Sequence, residues 1–121
     1  MSAARSTGTW AETAVARFLQ ANGYPHAERR ALAGQADRGD IAGIPGLVIE
    51  VKNEKTMRLA EYLDEAHAEA RNAGASLAVA WHKRRKKGSP GEWYVTMDGW
   101  DFLALLDAWT YARLEDMSDA H

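Results

Sequence analysis

Apolar positions along this chain switch between helical and strand spacing several times. Ala11, Val15, Phe18 and Leu19, with Ala14 and Asn22, recur every three or four residues and predict a helix over residues 10–22. Thr9 stands at its N-cap, and Glu12 three residues on completes a capping-box pattern. Gly23 closes the helix as the glycine just beyond its C-terminus. Residues 24–32 read as a strand diluted by alanine, and residues 33–38 as a loop holding Gly34 and Asp37.

The next stretch, Gly39 to Lys52, organises the rest. Strand-type alternation runs on both sides of Ile44-Pro45-Gly46, a turn signal. A hairpin centred on Pro45 sets Asp40 opposite Glu50. Side chains alternate along a strand, so Glu50 and Lys52 share one face with Asp40. Ile41, Leu47, Ile49 and Val51 then turn to the other face and into a core.

Residues 53–57 are polar and turn the chain. Residues 58–73 predict a long helix stopped by Gly74, with Leu59, Tyr62, Leu63, Ala66 and Ala70 as its buried stripe. Residues 76–81 form a near-continuous apolar run, the pattern of a strand covered on both faces. A basic loop over residues 82–91 leads to a strand over 92–97. Asp98 caps a last helix to about Ala112, with Trp100, Phe102, Leu103, Leu106 and Trp109 available to the core. Residues 1–8 and the acidic tail 114–121 are expected to be flexible. The order α-β-β-β-α-β-β-α, with a hairpin feeding a helical crossover, predicts an α/β fold: a mixed β-sheet flanked by helices.

Composition narrows the class. A chain of 121 residues, 46% hydrophobic with five tryptophans, is expected to be a single domain with a real core. The absence of cysteine excludes disulfides and thiolate zinc sites. No run approaches the roughly 18 apolar residues of a membrane span, and residues 1–9 lack the apolar core of a signal peptide. A soluble, cytoplasmic protein without a membrane partner is the expectation. The net charge of −2 is unevenly spread. Residues 1–91 hold 14 Lys/Arg against 10 Asp/Glu, a balance of +4, and residues 92–121 hold 1 against 7, a balance of −6. A basic surface on the larger part matters more for phosphate binding than the total does.

Candidate chemistry centres on Asp40 and Glu50-Val51-Lys52. Two carboxylates facing each other across a ladder repel. A divalent cation between them relieves that, and hard cations such as Mg²⁺ take one or two carboxylates plus waters and substrate phosphates. A lysine beside such an ion orients a nucleophile or offsets transition-state charge. Charge decoration of a solvated sheet face is the alternative, and Glu-X-Lys alone is a common pattern. The opposing aspartate, the apolar other face and the position before a crossover favour a phosphodiester-cleaving site.

Asp40 followed by Glu50-Val51-Lys52 on a hairpin after an N-terminal helix resembles the PD-(D/E)XK nuclease superfamily. Within it the chain is most similar to archaeal-type Holliday junction resolvases and related phage enzymes. The resemblance covers roughly residues 8–82 and includes Gly8-Thr9-Trp10-Ala11-Glu12, Gly23-Tyr24, Arg29-Arg30 and Ile49-Glu50-Val51-Lys52. Gly39, where the motif has proline, is a departure. The resemblance implies a restriction-endonuclease-like fold and Mg²⁺-dependent DNA cleavage, with Mn²⁺ able to substitute. Asp40, Glu50 and the Val51 carbonyl would be metal ligands, Lys52 the catalytic lysine and Glu12 a further catalytic carboxylate. A capping role competes for that same Glu12 carboxylate. Asp37 is a spare carboxylate, better read as a loop residue.

His82 is followed by five consecutive cations, Lys83, Arg84, Arg85, Lys86 and Lys87. They cannot be buried together and form either a solvated mobile loop or a phosphate clamp, ahead of a nuclear-localisation reading. Arg29 and Arg30 are further nucleic-acid-binding candidates, of which at most one lines the site, since neighbours in a strand face opposite ways. Glu54, Lys55, Arg58, His67 and Glu69 lie within reach of the site from the following loop and helix, while Glu61, Glu65 and Glu69 read as a wet helix face. Trp81, Trp93, Trp100 and Trp109 read as core or dimer surface, and Trp109, Tyr111 and Leu114 as cover for a partner subunit. The expected function is a Mg²⁺-dependent, structure-selective DNA endonuclease, a Holliday junction resolvase acting as a homodimer on branched DNA in recombination and repair. A linear-DNA endonuclease or exonuclease and a catalytically silent DNA-binding module are the alternatives.

Overall fold

Helix α1 spans Ala3–Ala21 and ends as the sequence predicts. Gly23 adopts φ 102°, and the Tyr24 N–H donates to the Leu19 carbonyl at 3.0 Å, a Schellman closure that a side chain at position 23 would strain. The computed structural model describes residues 3–30 and 38–119, so the expected loop at 33–38 and Asp37 fall outside the described residues, Arg38 excepted. The start of α1 differs from expectation. The helix begins well before Thr9, so Thr9 and Glu12 sit in its interior and form no capping box.

Of the expected strand 24–32, the described residues 24–30 form only β1, Glu28–Arg29, and residues 31–32 lie outside the described residues. Pro25 supplies no N–H, and the chain turns there instead, with the Ala27 N–H on the Tyr24 carbonyl. The hairpin is also looser than a full ladder. β2, Ile41–Ala42, pairs antiparallel with β1, and the two form a sheet of their own. A backbone bond from the Asp40 N–H to the Ile49 carbonyl, 3.0 Å, ties this ribbon to β3, Leu47–Lys52. Gly43 explains the split. Its φ is 95°, and a Cβ there would lie 2.0 Å from the His26 carbonyl oxygen, so the backbone passes at closest range against the residues just before β1. The turn itself matches the Pro-Gly signal: the Leu47 N–H reaches the Ile44 carbonyl, with Pro45 and Gly46 (φ 83°) in the corner positions of a type II turn.

Helix α2, Leu59–Ala73, carries the chain from β3 to the parallel strand β4, Leu77–His82. A short 3₁₀ turn, Pro90–Glu92, precedes β5, Tyr94–Thr96, which pairs antiparallel with β4. The result is a mixed α/β fold with an open mixed sheet ordered β3-β4-β5 and a separate two-stranded ribbon. Alternation along β3 divides the core. Ile49 and Val51 pack with Ala11, Val15 and Leu19 of α1, together with Ile41, Val79 and Trp93. Val48 turns the other way, against Ala66 and Ala70 of α2 and Ala78. Alanines on both sides let α2 lie close to the sheet. Tyr62, Ala66 and Ala70 are buried as expected, whereas Leu59 is exposed and Leu63 only partly covered.

Helix α3, Gly99–Asp119, departs most from expectation. Asp98 caps it as predicted, its Oδ1 accepting from the Asp101 N–H at 2.8 Å. The helix runs on through the supposed tail. None of its residues is buried, so Trp100, Phe102, Leu103, Leu106 and Trp109 stand outside the core. Apolar residues identify a surface that needs cover without specifying what covers it. Among the described residues, no helix is long and apolar enough to cross a membrane.

Candidate active site

Strand alternation places Glu50 and Lys52 together on the α2 side of β3. The Lys83 N–H donates to the Lys52 carbonyl at 2.9 Å, so that carbonyl faces β4. Main-chain groups alternate in direction along a strand, so the N–H and C=O of Val51 face the opposite edge. There the Val51 N–H donates to Asp40 Oδ2 at 2.7 Å. This bond replaces a ladder bond and holds the Asp40 carboxylate at the strand edge, beside Glu50 and within hydrogen-bonding reach of it. The pairing seen in the sequence is thus met by a side chain on a strand edge rather than by a regular hairpin.

Glu50 is only 5% exposed. Its Oε2 meets no donor among the described residues, which leaves a buried anionic oxygen in need of a proton or a cation. Burial, then the charge of Glu50, raise Asp40 to about 9, against a lowering by the Val51 N–H. Burial, with Glu69 adding to it, likewise raises Glu50 to about 9. Without a cation the two acids therefore hold protons near neutral pH as a coupled pair. Lys52 is the counterweight. Its Nζ lies 2.5 Å from Glu65 Oε2 and 3.5 Å from Glu50 Oε1, and 5.6 Å from the centre of the Tyr62 ring. Burial works against its charge, but Glu65 and Glu50 outweigh that and hold the amine above its ordinary range.

Two acids on α2 take parts that the sequence reading assigned to a wet face. Glu61 is exposed and pairs with Arg58, as expected. Glu65 instead clamps Lys52, and Glu69 is 2% exposed and reaches Glu50. Glu50, Glu65 and Glu69 present oxygens within 4.8 Å of one another. The signal for Glu69 was available: it lies seven residues after Tyr62 and three after Ala66, on the same buried stripe.

Glu12 approaches from α1. Its Oε2 accepts from Arg29 Nε at 2.6 Å, and its charge acts on Asp40. Freed of the capping role, it stands at the margin of the site. Arg29 is committed to Glu12, while the Arg30 N–H donates to the Asp40 carbonyl at 2.7 Å. Of the other candidates, Glu54 bonds the Tyr62 hydroxyl at 2.9 Å and pairs with Arg58. His67 points away, to Asp98 at 3.0 Å, and with Asp101, which accepts from the Ala78 N–H, it lies at the root of α3.

The basic loop is anchored at both ends and exposed in the middle. Lys83 Nζ sits about equally over the rings of Trp10 and Trp93, at 5.9 and 5.8 Å. Lys87 pairs with Glu92 at 3.3 Å, and its carbonyl accepts from the Trp93 indole. Arg84, Arg85 and Lys86 between them are exposed, with Arg84 over the Tyr94 ring and Lys86 at φ 66°. Trp81 and Trp93 pack in or against the core as expected, and Trp100 and Trp109 are exposed.

No family model matches the chain, and no curated protein or solved structure does either.

Proposed function

We propose that the protein is a Mg²⁺-dependent endodeoxyribonuclease selective for branched DNA, with four-way junctions as the preferred substrate. One observation carries this reading: Asp40 and Glu50 meet at the edge of β3 away from β4, with the Lys52 amine 3.5 Å from Glu50. The donor set suits a hard cation. It offers two carboxylates, a buried Glu50 oxygen that meets no donor among the described residues, and the Val51 carbonyl on the same edge. Bound there, Mg²⁺ supplies charge neutralisation for a phosphate and acidity to water. The chain's own groups do the rest. The Val51 N–H fixes the Asp40 carboxylate, and Glu65 fixes the Lys52 ammonium. An amine held charged serves as an electrostatic partner for the phosphate in the transition state, and it does not serve as a base. Arg84, Arg85 and Lys86 provide exposed cations for the DNA backbone. The likeness of Asp40 and Glu50-Val51-Lys52 to the PD-(D/E)XK pattern supports the same reading. A four-way junction has near two-fold symmetry, which calls for two sites and hence a homodimer.

Cleavage of synthetic four-way, flap and linear duplex DNA, each with Mg²⁺ and with chelator, tests the proposal. Junctions are expected to be nicked, only with the cation, and faster than linear duplex. Equal cutting in chelator, or none on any DNA, removes the proposal, and a preference for linear ends moves it to a linear-DNA nuclease.

The loop has its own test. Replacing Arg84, Arg85 and Lys86 by Gln is expected to weaken junction binding about tenfold or more at moderate salt. It should also lower the slope of log K against log salt by up to about 2–3. Metal affinity, read by calorimetry, should stay unchanged. An unaltered slope returns these residues to the role of solvated surface.

A further inference from the structure

A row of side chains crosses the sheet from Lys52. Lys52 of β3 pairs in register with His82 of β4, and His82 with Tyr94 of β5. Residues in register on neighbouring strands share a face, so the three stand side by side. Tyr62 of α2 confirms that face, with its ring 5.6 Å from the Lys52 amine and 6.3 Å from the His82 ring. The middle of the row is closed to solvent. His82 is buried, and its Nε2 lies 2.7 Å from Thr96 Oγ1, which fixes the imidazole. Tyr94 is the open end. Its ring meets the His82 ring at 6.2 Å, yet the residue is 51% exposed. The Arg84 guanidinium stands over the same ring, 5.3 Å from its centre.

We infer that Tyr94 is a stacking platform for an unpaired base of the strand held at Lys52, with Arg84 beside it on the backbone of that strand. This deepens the nuclease reading and rests on it for the identity of the ligand. Surfaces that hold single strands join aromatic faces to a run of cations. Here the exposed Arg84, Arg85 and Lys86 adjoin an exposed ring. Distance suits the role. Lys52 and Tyr94 are two strand spacings apart, about 10 Å, and successive phosphates of one DNA strand advance by about 3.4 Å. The ring therefore serves a base within about three nucleotides of the phosphate at Lys52. Pairing decides which DNA gains from it. A base inside a duplex is stacked on its neighbours and offers no face, whereas a base splayed at a branch does. Tyr94 thereby favours DNA that is unpaired next to the cut, which makes it a specificity-determining residue for branched substrates. Trp10, another exposed ring near a cation, does not share this position. It packs on Trp93, in the layer of α1 on the other face of the sheet.

Fluorescence anisotropy of the full chain in chelator tests this, with three probes: a short thymidine strand, an abasic strand of the same length, and a linear duplex. The abasic strand keeps the phosphates and lacks the bases. The parent is expected to bind the thymidine strand more tightly than the abasic one. Tyr94→Ala should lose about 5- to 150-fold in affinity for the thymidine strand, the worth of one stacked base, and should no longer distinguish the two strands. Its affinity for duplex should stay within about twofold, a change too small to report a lost contact. Tyr94→Phe, which keeps the ring, should match the parent on every probe. A parent that binds both strands equally overturns the inference. So does a Tyr94→Ala variant that holds the thymidine strand as well as the parent, or one that weakens on duplex to the same extent, since the ring then only supports Arg84. The two readings fail separately. A chain that binds bases through Tyr94 and cuts no DNA with Mg²⁺ ends the nuclease reading and leaves the platform standing. A chain that cuts junctions, with Tyr94→Ala changing no affinity, does the reverse.

Discussion

Glu50→Gln is expected to abolish the proposed DNA cleavage, by at least about a thousandfold, and to leave junction binding within a few-fold of the parent. The substitution keeps shape and removes the charge at a buried donor of the site, where Glu50 is 5% exposed. Loss of one preorganised electrostatic group in a dry site costs on the order of 10²–10³ in rate, and loss of a ligand adds to that. Asp40→Asn is expected to act likewise, since its carboxylate is fixed on the Val51 N–H and faces Glu50. Binding survives because the exposed cations lie on another loop. Single-turnover cleavage and fluorescence anisotropy on the same junction measure the two effects. Should Glu50→Gln cut at a tenth of the parental rate or better, Glu50 is no metal ligand. A parent that never cuts, with variants that bind equally well, marks the chain as a silent DNA-binding module.

The second large effect concerns pH and the cation together. Asp40 and Glu50 each stand at about 9 in the folded chain, Asp40 raised by burial and the charge of Glu50 and Glu50 by burial and Glu69, and return to the ordinary carboxylate range on unfolding. The folded state therefore holds more protons than the unfolded state between those limits. Stability from these groups is full in acid and is lost as pH rises through 9. In chelator the melting temperature is expected to fall between pH 6 and pH 9 by about 5 °C or more, the shift that ~1 kcal/mol produces in a domain of this size. Saturating Mg²⁺ should flatten the fall, because a cation takes the place of the protons. The double variant Asp40→Asn, Glu50→Gln should flatten it without any metal. Calorimetric melts at the two pH values, with chelator and with Mg²⁺, decide the matter. A chelated parent whose melting temperature holds or rises over this range contradicts the proposed acid pair.

Most secondary structure was legible in the chain because local signals act over a few residues. Gly23 and Gly74 stop their helices, Pro45-Gly46 makes its turn, and Asp98 caps α3, each through backbone geometry confined to its neighbours. Alternation along residues 47–52 also assigned Glu50 and Lys52 to one face and Ile49 and Val51 to the other. The signals failed where several groups compete. Glu12 matched a capping box, but its helix began earlier. Pro25 cut short a strand that periodicity extended through it. Glu65 and Glu69 satisfied a solvated-face pattern, yet lie against Lys52 and Glu50.

Residue order alone thus specified the three chemical groups, Asp40, Glu50 and Lys52, and the strand that carries two of them, since period-two alternation needs no knowledge of the remaining chain. Folding settled everything that depends on distant segments. It set Asp40 on the Val51 N–H, brought α2 acids around Lys52, and left α3 without cover. Burial and charge repulsion are sums over whatever packs nearby, and those neighbours come from parts of the chain that no local pattern connects.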